Sequence, residues 1–188
     1  MKTPPRYICA ATKTGSINLL DPITFAIVKT WKAHSAGIND MDARHDFVVT
    51  CGYSMRPQQY QVPDALVNVF DLKNLVPLPP IPFPAGASFV RLHPRMSTTS
   101  IVASLLGQVQ VVDLMNVNTS NLKQLNLVDF LSMIEIASSG EAMIMADVRS
   151  NVQLWGSPSR VRFAEFNNPT EFAEPDEACP EMNWNKET

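Results

Sequence analysis

An all-β fold, a β-propeller of which these 188 residues carry only part, is predicted by three observations. One short segment recurs four times, as Ile17-Asn18-Leu19-Leu20-Asp21, Val67-Asn68-Val69-Phe70-Asp71, Val109-Gln110-Val111-Val112-Asp113 and Val152-Gln153-Leu154-Trp155-Gly156. Each copy reads apolar, amide, apolar, large apolar, then Asp or Gly, a pattern suited to a strand buried on both faces. The fourth positions, Leu20, Phe70, Val112 and Trp155, are separated by 50, 42 and 43 residues. Finally, the 15 prolines leave little room for long helices.

A repeat of roughly 40–45 residues built from short strands is the mark of a WD-repeat propeller, with each copy the third strand of a four-stranded blade. The longer first step calls for an insertion, which Ser54 to Pro63 supplies. It is too polar and too proline-bounded for the core.

Taken in order, Tyr7 to Ala11, Ile17 to Asp21 and Phe25 to Trp31 read as the last three strands of a first blade. Ile38 to Ala43, Phe47 to Tyr53, Leu66 to Asp71 and Pro77 to Phe83 make a second blade. Prolines 77, 79, 80, 82 and 84 donate no ladder hydrogen bonds, so that last strand belongs at an edge. Ala87 to Leu92, Ser100 to Leu105 and Val109 to Asp113 begin a third blade, with an ambiguous outer strand within Asn116 to Asn126. Leu131 to Ile136, Ala142 to Ala146, Val152 to Trp155 and Arg160 to Phe166 make a fourth. The expected organisation is therefore a partial propeller over 1–166, three full blades and most of another, followed by an acidic, Pro-containing tail or linker over 167–188. A ring of about seven blades is expected to close around such a piece, so the chain is read as part of a longer protein.

Composition narrows the function classes. At 45% hydrophobic and 18% charged the chain is globular, and no apolar run of membrane-spanning length occurs. The three cysteines, Cys9, Cys51 and Cys179, are odd in number and far apart, which points to a reducing compartment. The net charge of −3 is uneven: residues 1–56 carry +3 and residues 161–188 carry −5. Such an asymmetry marks two different surfaces or merely solvated faces.

Catalytic signatures are missing from the sequence. There is no Gly-rich phosphate loop followed by Lys-Ser/Thr, no Gly-x-Ser-x-Gly and no Asp-x-Glu to begin a two-metal carboxylate cluster. His34, His45 and His93 each lack a second metal ligand at suitable spacing. Asp40-Met41-Asp42 reads as strand and turn, and Cys51 as core. His34, in the loop before a first strand, has a structural reading implied by the likeness to WD repeats: there a His hydrogen-bonds a Ser or Thr on the second strand and an Asp in the following turn, with a Trp in the same set, and Thr50 and Asp64 are the candidates here. Asp147 and Trp155 match two members of the same set in the last blade, where no His precedes them. In a propeller, loops leaving one blade share a rim with the second-to-third-strand turns. That rim is expected to gather Lys32, His34, Arg56, Gln58, Gln59 and Tyr60, a possible binding surface for single-stranded nucleic acid or an acidic protein. A merely solvated rim is the competing reading.

The run Cys51-Gly-Tyr-Ser-Met-Arg-Pro57, with Asp64 to Leu72, Pro77 to Phe83 and Phe89-Val-Arg-Leu-His-Pro94, resembles the N-terminal WD-repeat region of poly(A)-nuclease deadenylase catalytic subunits. The resemblance covers nearly the whole chain. It implies a parent protein that shortens messenger RNA poly(A) tails from the 3′ end, with a pseudokinase-like regulatory subunit and poly(A)-binding protein on poly(A) RNA as partners. It implies a cytoplasmic location that includes P-bodies, with some nuclear presence. The family's magnesium-dependent exonuclease is a separate domain, so no catalytic, cofactor or metal residue is expected in this chain, nor any membrane partner. A general WD-repeat scaffold without RNA contact is the alternative. An RNA-degrading activity of the chain itself is the third reading.

Overall fold

The computed structural model describes residues 6–57 and 60–156, which form fifteen β-strands in four antiparallel sheets. The first sheet orders β1 (Ile8–Ala11), β2 (Ser16–Leu20) and β3 (Ile27–Lys32). The second runs β4 (Ile38–Arg44), β5 (Phe47–Met55), β7 (Leu66–Asp71) and β8 (Val76–Pro82), with β6 (Gln61–Pro63) pairing to the end of β5. The third runs β9 (Phe89–Leu92), β10 (Thr99–Ala103), β11 (Gln108–Asp113) and β12 (Asn116–Gln124). The fourth orders β13 (Leu131–Ile136), β14 (Ala142–Asp147) and β15 (Val152–Gly156). First strands meet first strands, β4 beside β9 and β9 beside β13, while the outer strands β8 and β12 also touch. These are successive blades of a partial propeller, and the four recurring segments are β2, β7, β11 and β15. The expected outer strand at 160–166 and the tail at 167–188 lie outside the described residues.

Burial on both faces explains the recurring apolar pattern. Successive side chains of a strand point to opposite faces. Val48 of β5 and Phe70 of β7 face the first blade, packing with Ile17, Leu19 and Trp31. Their neighbours Val49, Val67 and Val69 face the third blade, packing with Val90, Leu92, Val102 and Val112. The third blade does the same, sending Ile101, Ala103 and Val109 to Leu131, Ile134 and Met145 of the fourth. Trp31 and Phe70 stack across the first interface with ring centroids 4.7 Å apart. Each fully buried Val, Leu or Ile contributes about 1.5–3 kcal/mol, so the interfaces between blades hold the sheets in order.

The Asp that ends a repeated segment closes its hairpin. Asp21 Oδ1 accepts from the amides of Ile23 (2.9 Å) and Thr24 (2.7 Å). Asp71 Oδ1 accepts from Lys73 (2.7 Å) and Asn74 (3.2 Å), and Asp113 Oδ1 accepts from Met115 (3.0 Å). A short carboxylate bonding its own backbone two residues on is the chemistry of such turns.

Two stretches take a more definite form than the sequence reading gave them. The insertion after Ser54 is not a bare loop: β5 continues to Met55 and returns as β6, with Tyr53 opposite Pro63 and Met55 opposite Gln61. The ambiguous stretch after Asn116 is a nine-residue strand, β12, pairing along β11. The proline-rich strand takes the edge position, and its pairing with β7 slips between Val67 and Val69, where Pro79 and Pro80 have no opposite number. Among the described residues no helix is long and apolar enough to cross a membrane.

Candidate binding rim and the interlocks beneath it

His34 sits in the loop between β3 and β4. A carboxylate only accepts, so His34 Nδ1–H donates to Asp64 Oδ2. On the neutral ring Nε2 then accepts from the Thr50 hydroxyl, 3.1 Å away. The Ser54 hydroxyl donates to the other oxygen of Asp64. The side chain of His34 is 0% accessible. The expectation that His34 belongs to an exposed rim is therefore corrected: its ring is spent on Thr50 and Asp64 and holds the loop from beneath. No histidine follows His93 in the sequence, so the fourth blade has no such His. Asp147 instead accepts from the amides of Arg149 and Asn151 (2.9 Å each), and the Trp155 indole donates to Gln153 (3.3 Å). The carboxyl of Asp147 is held below its ordinary range, chiefly by the hydrogen bond from the Asn151 side chain.

The rim above His34 is built from three pieces. The turn between β1 and β2 meets the loop after β3 through Gly15, whose carbonyl accepts from the amides of Ala33 and His34 (2.9 Å each). That loop meets the β5–β6 hairpin through Ser35, whose hydroxyl accepts from the Met55 amide at 3.1 Å. Lys32 Nζ donates to the Thr14 carbonyl. Arg56 and Tyr60 lie at the tip of the hairpin, tied by a backbone hydrogen bond of 3.0 Å, and both are exposed. Lys32, Arg56 and Tyr60 thus lie on one rim, and the structure adds Lys13 to it, whose carbonyl stands beside Gly37. Among the described residues, none of Lys13, Lys32 and Arg56 is in an ion pair. Gln58 and Gln59 lie outside the described residues.

A second set of polar residues, including the Asp40 and Asp42 that the sequence reading assigned to strand and turn, fastens the inner strands. Asp40 Oδ2 accepts from the Val90 amide (3.0 Å) and Asp42 Oδ2 from the Leu92 amide (2.7 Å), while the Asn39 side chain donates to the Ser88 carbonyl (2.6 Å). Asp40 and Asp42 are two apart on β4, so they reach the same side, and they occupy outward-facing donors of β9 that would otherwise form an open edge. Arg91 completes the arrangement, donating to Asp40 at 2.6 Å and to Glu135 on β13 at 2.9 Å. Burial works against its charge but is outweighed by Glu135 and Asp40, so the guanidinium is held more firmly protonated than usual. The Asp-x-Asp is an interlock between blades. Among the described residues no three His, Cys, Asp or Glu are placed to hold a metal ion.

Residues 1–156 match the family model described as PAN2 N-terminal. The chain belongs to this family. It is 52% identical over its whole length to the Chaetomium globosum protein named PAN2-PAN3 deadenylation complex catalytic subunit PAN2, and 54% identical over 97% of its length to the Coccidioides immitis protein of the same name. It spans only 17% and 15% of those two relatives. The solved WD40 domain of Neurospora crassa Pan2 superposes on 85% of the chain with a TM-score of 0.78 at 44% identity, the match covering 50% of that domain. A β-propeller domain of Cps50 (Swd1) from Myceliophteria thermophila, at 14% identity and a TM-score of 0.65 over 80% of the chain and 48% of that domain, shares the fold alone. The PAN2 N-terminal region thus accounts for the four blades described, and the resemblance read from Cys51 to Pro57 and its companions is established.

Proposed function

We propose that this chain supplies propeller blades through which a poly(A)-shortening nuclease subunit engages its ribonucleoprotein substrate and assembles with its regulatory partner. The observation that carries the reading is the rim over the first two blades, where Lys13, Lys32 and Arg56 have no carboxylate partner among the described residues and stand with Tyr60. Loops on a rigid sheet scaffold are a usual place for binding residues. The relatives named as PAN2-PAN3 complex subunits support a pseudokinase-like regulatory subunit as one partner. Poly(A)-binding protein on poly(A) RNA is the other, in the cytoplasm and its P-bodies. Cleavage belongs to a magnesium-dependent nuclease domain of the parent protein, and this chain contributes placement.

The test is binding of the complete propeller, fused to a reporter, to poly(A) coated with poly(A)-binding protein. Arg56→Ala combined with Tyr60→Ala is expected to weaken it by about tenfold, and unchanged binding removes the rim from the reading. A gel shift with bare poly(A) at two salt concentrations separates direct phosphate contact, which weakens as salt rises, from a scaffold that touches no RNA. Labelled poly(A) incubated with the chain and magnesium is expected to stay at full length.

A further inference from the structure

The rim changes character beyond the second blade. Leu106 of the β10–β11 turn, Val128 and Phe130 of the β12–β13 loop, and Val148 of the β14–β15 turn are 67%, 68%, 53% and 58% exposed. Four large apolar side chains on neighbouring turns are more than the scattered exposure normal for a surface. They stand together by construction: the Leu131 amide donates to the Leu105 carbonyl (2.8 Å) and the Val148 amide to the Phe130 carbonyl (2.9 Å). Between Leu106 and residues 124–130 lies an open cavity of about 550 Å³. Its single charged lining residue is Asp129, whose Oδ2 accepts from Arg149 at 2.8 Å.

We propose that this apolar half of the rim docks an extended segment of a partner protein, and that the segment carries acidic residues beside its apolar ones. The apolar part follows from the four exposed side chains, three of which, Leu106, Val128 and Phe130, line the cavity. The acidic part follows from continuity with the cationic half. The β5–β6 hairpin leads through Pro63 to Gly86, where an added Cβ would fall 2.7 Å from the Pro63 Cβ, and on through the Ser88 amide to the Ala103 carbonyl (2.8 Å), next to the turn that carries Leu106. A segment seated on Leu106 and Val128 and running along this arc approaches Arg56 and Lys32, which among the described residues have no carboxylate partner. Opposite charge at the edge of an apolar contact fixes register and direction. A polynucleotide is disfavoured here, because the one charged lining group, Asp129, is already paired with Arg149, and the pair leaves no net positive charge to replace phosphate counterions. This site stands apart from the Arg56 and Tyr60 contacts proposed for the ribonucleoprotein, which serve it only as its charged flank.

The experiment is selection of a displayed library of random twelve-residue peptides on the full chain, with enriched peptides synthesised, labelled and titrated by fluorescence anisotropy. The expected result is peptides bearing both apolar and acidic residues, at least tenfold weaker on Leu106→Ser with Val128→Ser. Near-UV circular dichroism and the melting temperature of that variant report that it folds, and Val148→Ser alone, expected to weaken binding about threefold, serves as the second variant. Enriched peptides that are basic, or that bind the variants as tightly as the native chain, overturn the proposal. Because Arg56 and Tyr60 are untouched in these variants, binding to coated poly(A) is read separately, and either proposal fails without the other.

Discussion

The imidazole of His34 rests against Gly52, so closely that a Cβ on Gly52 would stand 2.7 Å from its Cγ and 2.5 Å from the Gly37 carbonyl oxygen. Neither the buried ring nor that backbone oxygen moves freely. Gly52→Ala is therefore expected to push His34 from Thr50 and Asp64 and to destabilise the chain by about 1–3 kcal/mol, the usual cost of overpacking. Urea denaturation of the two proteins side by side measures it, and an unchanged midpoint refutes the packing account.

Replacing the ring tests the same knot from the other side. His34→Ala leaves Asp64 and Thr50 without their partner beneath the rim, and a loss of about 3 kcal/mol is expected. Thr50→Val keeps shape and removes only a hydroxyl, so about 1 kcal/mol is expected there. The two changes share one hydrogen bond, and their combination should cost less than the two losses added. A double-mutant cycle read by thermal denaturation decides this.

The Asp40–Arg91–Glu135 chain joins the first strands of three blades, with side-chain accessibilities of 22%, 20% and 54%. Charges this accessible are partly screened, so Arg91→Met is expected to cost only about 1 kcal/mol. Raising salt to about 1 M should narrow the gap between native and variant, because the Debye length then falls to about 3 Å. A gap that widens with salt would contradict the assignment.

These interlocks mark how far the sequence could be read. The repeated strands were legible because Val67, Val69 and Phe70 are buried from both sides and write that burial into consecutive apolar residues. The knot of His34, Thr50 and Asp64 was legible because each member occupies a fixed place around a blade. β12 was legible only as an ambiguous outer strand within Asn116 to Asn126, since Asn116–Gln124 carries no apolar rhythm. The β6 hairpin was read only as a polar insertion, because it too carries no apolar rhythm. Asp40 and Asp42 stood out in the sequence as an Asp-x-Asp of strand and turn, but their role did not, because their partners are backbone amides fifty residues on, identifiable only once β4 and β9 are known to lie side by side. The exposed Leu106, Val128, Phe130 and Val148 looked like ordinary strand and loop residues until neighbouring turns brought them together.

Acid is expected to loosen the fourth blade through Asp147. Its folded pKa is depressed, first by the Asn151 side chain, so the stabilisation is fully present above the unfolded carboxylate value near about 4 and is lost as pH falls through the lower folded value. Asn151→Ala removes the leading cause of that depression. The variant should be less stable than the native chain at neutral pH, and the difference should shrink below pH of about 4. Urea midpoints across that range provide the check, and a difference that grows on acidification would reverse the sign of the argument.

Cys51 provides a probe of the interface between the second and third blades. It lies on β5 among Val49, Val67 and Val90, and burial, with the nearby charge of Asp40, pushes its thiol up to about 12. The thiolate is the reactive form, so at pH of about 8 the folded chain should leave Cys51 unmodified by an alkylating reagent. Its labelling rate then reports opening of that interface. Peptide mapping after a timed pulse is expected to find Cys51 protected in native buffer and labelled once urea has separated the blades. Arg91→Met, which loosens the same pair of blades at their inner strands, should raise the native-buffer labelling rate about fivefold, the equivalent of about 1 kcal/mol. Labelling of Cys51 that is fast in native buffer would mean that the second and third blades do not bury it against each other.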